Sequence, residues 1–165
     1  MCLSENSKNL IQKYITDTNI LMMRNFNQHR GLSTYDHSIH VAVVSAVMAE
    51  NLRLSEKSIQ RIITGAILHD YYLYDYHNGR KTGSSWHCWT HPRTALKNAS
   101  KDFDLDRIEK NIIRSHMFPA TLLHIPVHKE SWIVSMADKY CTLKEFAFKN
   151  KRYMKTLKKH NIRLQ

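Results

Sequence analysis

The chain has few of the residues that interrupt regular structure, with only four glycines and three prolines among 165 residues. Strand-and-turn architectures need many tight turns, so this scarcity argues against a sandwich or barrel and favours helices. Nor is there an apolar run near the roughly 20 residues that cross a bilayer. The opening "MCLSENSKNL" lacks the basic and apolar regions of a secretion signal. Cys2, Cys88 and Cys141 are odd in number, scattered and without a CxxC pair. They exclude a disulfide framework and a zinc knuckle, and read as reduced thiols of a cytoplasmic protein. Acidic residues are also in short supply. Fourteen face 25 Lys and Arg, giving a formal charge of +11. Such a charge attracts phosphate, nucleic acid or anionic surfaces without choosing among them.

What is present is an ordinary apolar fraction for a folded protein, 42%, in a length that suits one domain. There is no internal repeat or low-complexity linker. Helical spacing of Leu10, Ile11, Tyr14 and Ile15 opens an N-terminal helix over about 7–27. Ser33 or Thr34 caps a second helix, to about Leu52, and Ser55 a third, ending near Tyr72. Residues 73–90 read as a loop. Pro92 suits the first turn of a helix over about 91–100. Asp104 caps one ending near His116, and a long helix spans about His128 to Phe148. A basic segment, about 149–165, closes the chain. No stretch alternates as a strand, so the expected fold is an all-α bundle with its core over about 30–146.

The polar residues fall in unusual places. In the third helix Ile59, Ile62, Ile63, Ala66 and Ile67 form one stripe, and the next position on it is Asp70. An unpaired carboxylate in a core costs several kcal/mol, so Asp70 needs a cation or strong donors. His69 adjoins it. His37 opens a stripe with Val41 and Val44, and His91 one with Ala95 and Ala99. His116 ends the series Ile108, Ile112, His116. Asp138 interrupts the apolar "SWIVSMADKYCTL". Chance alone supplies a His-Asp pair about half the time in a chain with this much of both. Six polar groups facing one interior are harder to explain separately, because each buried polar group needs its own partner. Four imidazoles and two carboxylates in a bundle core suit a transition metal.

At these residues the sequence resembles the HD-domain superfamily of metal-dependent phosphohydrolases, whose pattern is H…HD…D. His37 lies in "YDHSIHVAVVSAVMAENL", His69-Asp70 in "GAILHD" and Asp138 in "SMADK". His91 in "THPRTAL" and His116 in "IIRSHM" match the two further histidines of its binuclear branch. The resemblance implies an HD helical bundle in which Asp70 bridges two ions. His37, His69 and Asp138 complete one site, and His91 and His116 the other. The chain lacks the lysine after HD and the GYP signature of a cyclic-dinucleotide-cleaving branch.

Three activities follow as expectations. The first is a phosphohydrolase or phosphodiesterase acting on a small nucleotide or related phosphate ester. Two divalent ions (Mn, Fe, Co, Ni or Zn) about 3.5–4 Å apart would generate hydroxide and clamp a phosphate oxygen. His69 and Asp70 are its central residues. Lys139 and Arg93 are candidate phosphate contacts, and His87 and Trp86, with His77 and Trp89, a candidate lid. The second is an HD-type mixed-valence di-iron oxygenase built on the same six ligands. The third is a non-catalytic helical protein that binds nucleic acid through "KNKRYMKTLKKHNIRLQ". No membrane partner is expected. His40, one turn from His37, is a candidate support for that ligand.

Overall fold

The computed structural model describes residues 2–29, 31–74, 84–148 and 151–164; the side chains of 29, 84–88, 148 and 151–153 lie outside the description. Within these bounds the protein is an all-α bundle. The helices are α1 Glu5–Ile15, α2 Thr18–Leu21, α3 Thr34–Asn51, α4 Glu56–Leu68, α5 Ser84–Asp102, α6 Arg107–Ser115, α7 Lys129–Phe148 and α8 Lys151–Lys159. No described helix is long and apolar enough to cross a membrane.

Caps decide most boundaries. Ser33 accepts from the Asp36 amide while Asp36 reaches back to the Ser33 amide, so α3 starts on a capping box. Asp106 and Glu109 do the same for α6, two residues beyond the Asp104 start expected. Ser55 caps α4 as expected. The continuous N-terminal helix expected over 7–27 is divided. Asp17 accepts from the amides of Asn19 and Ile20 and so starts α2 afresh, and a 3-10 turn, Met22–Asn25, follows. That turn leads to a short antiparallel hairpin, β1 Asn27–His29 and β2 Leu32–Ser33, the only strands among the described residues. Gly31, at φ +81°, supplies the left-handed residue of its turn. Helix α5 begins at Ser84, so the expected loop over 73–90 is shorter. Pro92 lies inside α5 rather than in its first turn.

Helix α3 packs on α4 and α7, α4 on α6 and α7, and α5 on α6. The core includes Ile39, Val43, Ile62, Ile67, Ile112 and Val134, all fully buried. Gly65 permits one close approach. A Cβ there would lie 2.6 Å from Ile112 Cγ2, so only glycine lets α6 sit this near α4.

Candidate metal centre

Five segments converge at one end of this core. Helix α3 carries His37 one turn after its cap. Helix α4 stops at Leu68, a turn earlier than its apolar stripe suggests, with His69 as its C-cap. The Tyr71 amide bonds to Leu68 O and the Tyr72 amide to Asp70 O, so Asp70 sits in the turn. Asn98 of α5 holds that turn, donating to the carbonyls of Tyr71 and Tyr72. His91 comes from α5, His116 is the C-cap of α6, and Asp138 lies midway along α7. All six side chains are buried.

They form two groups that share Asp70. Ligand atoms of His37, His69 and Asp70 lie within 4.8 Å of one another, as do those of Asp70, His91 and His116. The two oxygens of Asp70 divide between the groups. Oδ2 is 3.3 Å from His69 Nε2, whereas Oδ1 is 3.2 Å from His91 Nε2 and 3.5 Å from His116 Nε2. Asp138 Oδ1 lies 3.1 Å from His37 Nε2 and 3.8 Å from His69 Nε2.

The tautomers follow from the outer hydrogen bonds. His69 Nδ1 is 2.7 Å from Ala66 O and His116 Nδ1 is 2.9 Å from Ile113 O. A carbonyl only accepts, so each Nδ1 carries a proton and each Nε2 faces inward. His37 Nδ1 faces Glu145 Oε2 at 2.9 Å in the same manner. Inside the centre His91 Nε2 lies 2.8 Å from His116 Nε2 and donates to it. His69 Nε2 and Asp70 Oδ1 are fully buried and make no hydrogen bond among the described residues. Buried polar atoms are rarely left so, and divalent cations satisfy such a donor set.

Protonation in the metal-free protein follows the same geometry. Burial favours neutral carboxyls, but His69 and His91 outweigh it and hold Asp70 well below the carboxylate range. Asp138 is held low against the same burial, by its hydrogen bond to His37 and the charge of His69. Burial opposes a charge on His37 too, yet Asp138 and Glu145 outweigh it and raise its pKa well above the usual value. His116 goes the other way: burial and neighbouring His69 push it down to about 3.

The HD domain family model matches residues 34–143. The chain belongs to the HD domain family. No curated protein matches it. HD domains are mostly metal-dependent hydrolases of the phosphohydrolase superfamily and bind divalent metals. The match spans α3 to most of α7 and so includes all six candidate ligands of this HD domain.

The other sequence candidates are placed differently. Lys139 lies at the edge of the HD site, with Nζ 3.9 Å from Asp138 Oδ2. It donates to His116 O at 2.7 Å and to Ser135 O and Oγ, which ties the end of α6 to α7. Arg93 is exposed. Two residues beyond His91, it lies about 200° around α5 from that ligand. Trp86 and His87 belong to α5, but their side chains lie outside the described residues, as does all of His77. Trp89 is exposed. His40 is buried, with Nδ1 2.7 Å from Glu145 Oε1.

Two residues escaped the sequence reading. Glu145 serves both His37 and His40 from α7. Its signal was present, because it lies seven residues after Asp138 on the same apolar face. Gln28, from β1, donates to Asp70 Oδ2 at 2.6 Å and accepts from Tyr72 Oη at 2.7 Å. No sequence pattern marks that hairpin.

Proposed function

We propose that this HD domain is a binuclear metal-dependent phosphohydrolase or phosphodiesterase acting on a small nucleotide or related phosphate ester. His37, His69, Asp70 and Asp138 hold one ion, and Asp70, His91 and His116 the other. The observation that carries this reading is the pair of buried, unpartnered atoms, His69 Nε2 and Asp70 Oδ1, in a cluster of imidazoles and carboxylates whose ligand atoms lie within 4.8 Å of one another in two groups. When bound, two such ions supply an acidified water and a clamp for a phosphate oxygen.

The chain's own residues do the rest. Ala66 O and Ile113 O fix the tautomers of His69 and His116, and Glu145 orients His37. Gln28 holds the Asp70 carboxylate in the plane that lets each oxygen face one group. Lys139 fixes the backbone at His116. The basic surface draws an anionic substrate toward the site.

The test is elemental analysis of protein purified without added metal, followed by hydrolysis assays on a panel of phosphate esters. About two ions per chain and phosphate release are expected. His69→Ala and Asp70→Ala should lose both metal and turnover, whereas His91→Ala or His116→Ala should lower occupancy toward one. Full metal in the Asp70→Ala protein would overturn the assignment. Two irons with oxygen consumption and no phosphate release would move the protein to the oxygenase reading.

A further inference from the structure

Helix α7 is apolar on both sides. Its inner face buries Ile133, Val134, Ala137 and Cys141. Its outer face presents Trp132, Met136, Tyr140 and Leu143, which are 42%, 58%, 51% and 70% exposed. The spacing of 4, 4 and 3 is that of a single helical stripe. All three carboxylates of α7, Glu130, Asp138 and Glu145, are buried on the other side. A helix with apolar residues on two opposite faces is normally covered on both.

The surroundings extend the patch. Met136 and Tyr140 also line a groove of about 420 Å³, whose other walls are Val44, Val47 and Met48 of α3 and residues 156, 159 and 160 in and just after α8. Val127 and Phe146, both exposed, continue the stripe at its ends. Six large side chains with about 100 Å² exposed each, plus the groove walls, make a patch on the order of 800 Å², the share of one partner in a standard interface. Monomers rarely expose so large a contiguous apolar area.

We infer that this face joins two copies of the chain in an isologous dimer, with α7 packed antiparallel against α7 of the second copy. A two-fold axis through the middle of the stripe sets Met136 opposite Tyr140 of the second copy and Trp132 opposite its Leu143. The stripe is thus its own complement, long side chain against ring and large ring against small side chain. The same axis brings Lys144, which already lies over its own Tyr140 ring at 5.3 Å, beside Trp132 of the second copy. Self-association fits the charge distribution as well. The chain carries +11, but Trp132, Met136, Tyr140 and Leu143 carry no charge, and Lys144 and Lys159 lie at the margins of the patch. Asp138, the candidate ligand on α7, is buried on the side of the helix away from this stripe, so the dimer does not cover it.

Sedimentation velocity on the full, metal-loaded chain tests this. At tens of micromolar the mass should be about twice the 19.5 kDa of one chain. Met136→Glu buries an unpaired carboxylate twice per dimer and should weaken association at least a hundredfold, with unchanged helical circular dichroism and metal content. Leu143→Glu, at a still more exposed position, should do the same and decides the matter if Met136→Glu lowers the helix signal. Raising NaCl should tighten the dimer, because it screens like charges and leaves apolar contact intact. A wild-type chain that stays monomeric at 200 μM in high salt would overturn the proposal and leave the stripe to a different protein's apolar helix. A dimer indifferent to both substitutions would overturn it equally, by placing the interface elsewhere.

Discussion

A single carboxylate on α7 shows how the centre is held. Glu145 is buried, with one oxygen 2.9 Å from His37 Nδ1 and the other 2.7 Å from His40 Nδ1. Removing it takes away the carboxylate that both imidazole Nδ1 atoms face, and frees the His37 ring to rotate away from Asp138. Carboxylates behind metal-binding histidines typically change affinity about 10- to 100-fold. Glu145→Ala should therefore bind metal about that much more weakly in a chelator competition. It should also lose about 2–4 kcal/mol in urea unfolding, the range for stranded buried partners of a charged group. Glu145→Gln keeps one acceptor and should lose less on both measures. If Glu145→Ala held metal as tightly as the wild type, the carboxylate would have no orienting role. A proton also competes here. The raised pKa of His37 in the metal-free protein means that metal displaces a proton, so affinity should fall as pH falls.

At the scale of elements, the close approach of α4 and α6 places His116 against Asp70. Gly65 is the contact that sets it. Intrinsic propensity alone would make Gly65→Ala stabilising by about 1 kcal/mol. The new Cβ, however, would meet three atoms of Ile112, at 2.6 to 2.8 Å, on a β-branched side chain that cannot swing aside. Overpacking of that kind costs about 1–3 kcal/mol, so Gly65→Ala should lower the melting temperature and first loosen the ion proposed for Asp70, His91 and His116. Gly65→Ala combined with Ile112→Ala should recover part of the loss. A stabilised Gly65→Ala protein would show that α6 shifts freely. The same elements show what the sequence makes legible. Caps at Ser33 and Ser55 and the apolar stripes of α3, α4 and α6 were readable, because a helix start and a buried face are local patterns. Of the six candidate ligands, His37, Asp70 and His116 lay on those stripes, His69 beside Asp70, and His91 and Asp138 on apolar faces of α5 and α7; they meet in the structure. The break at Thr16 was not readable, since the apolar spacing continues across Asp17 and only its capping bonds reveal the restart. Gln28 was equally hidden, because a hairpin of five strand residues has no period to detect.

At the scale of the whole molecule, Leu3 packs on the segment that follows α8, and that contact has a pH dependence. The Leu3 amide donates to His160 Nδ1 at 3.3 Å, and the Ile162 amide bonds to Leu157 O. His160 is buried beside Leu3 and Leu157 and must be unprotonated at Nδ1 to accept. Burial, then Lys159, lower its pKa below the ordinary value, while Glu50 opposes them. The sign follows from linkage: a histidine with a depressed folded pKa takes up protons more readily when unfolded. Its contribution to stability is complete above pH 6.5 and is lost as pH falls through the folded pKa. In the metal-free chain His116 adds to this acid loss, whereas His37 and His69, whose pKa values are raised, work against it. The metal-loaded protein is the better subject, because ions bound at the proposed centre would hold those three rings unprotonated. There, urea unfolding from pH 8 to pH 5 should show a loss of stability below about 6.5 that His160→Gln, which cannot titrate, reduces. Equal slopes for the two proteins would mean that the union of the N-terminus with α8 does not depend on the charge of His160. A reduced slope would show that this union helps to set the acid limit of the whole fold.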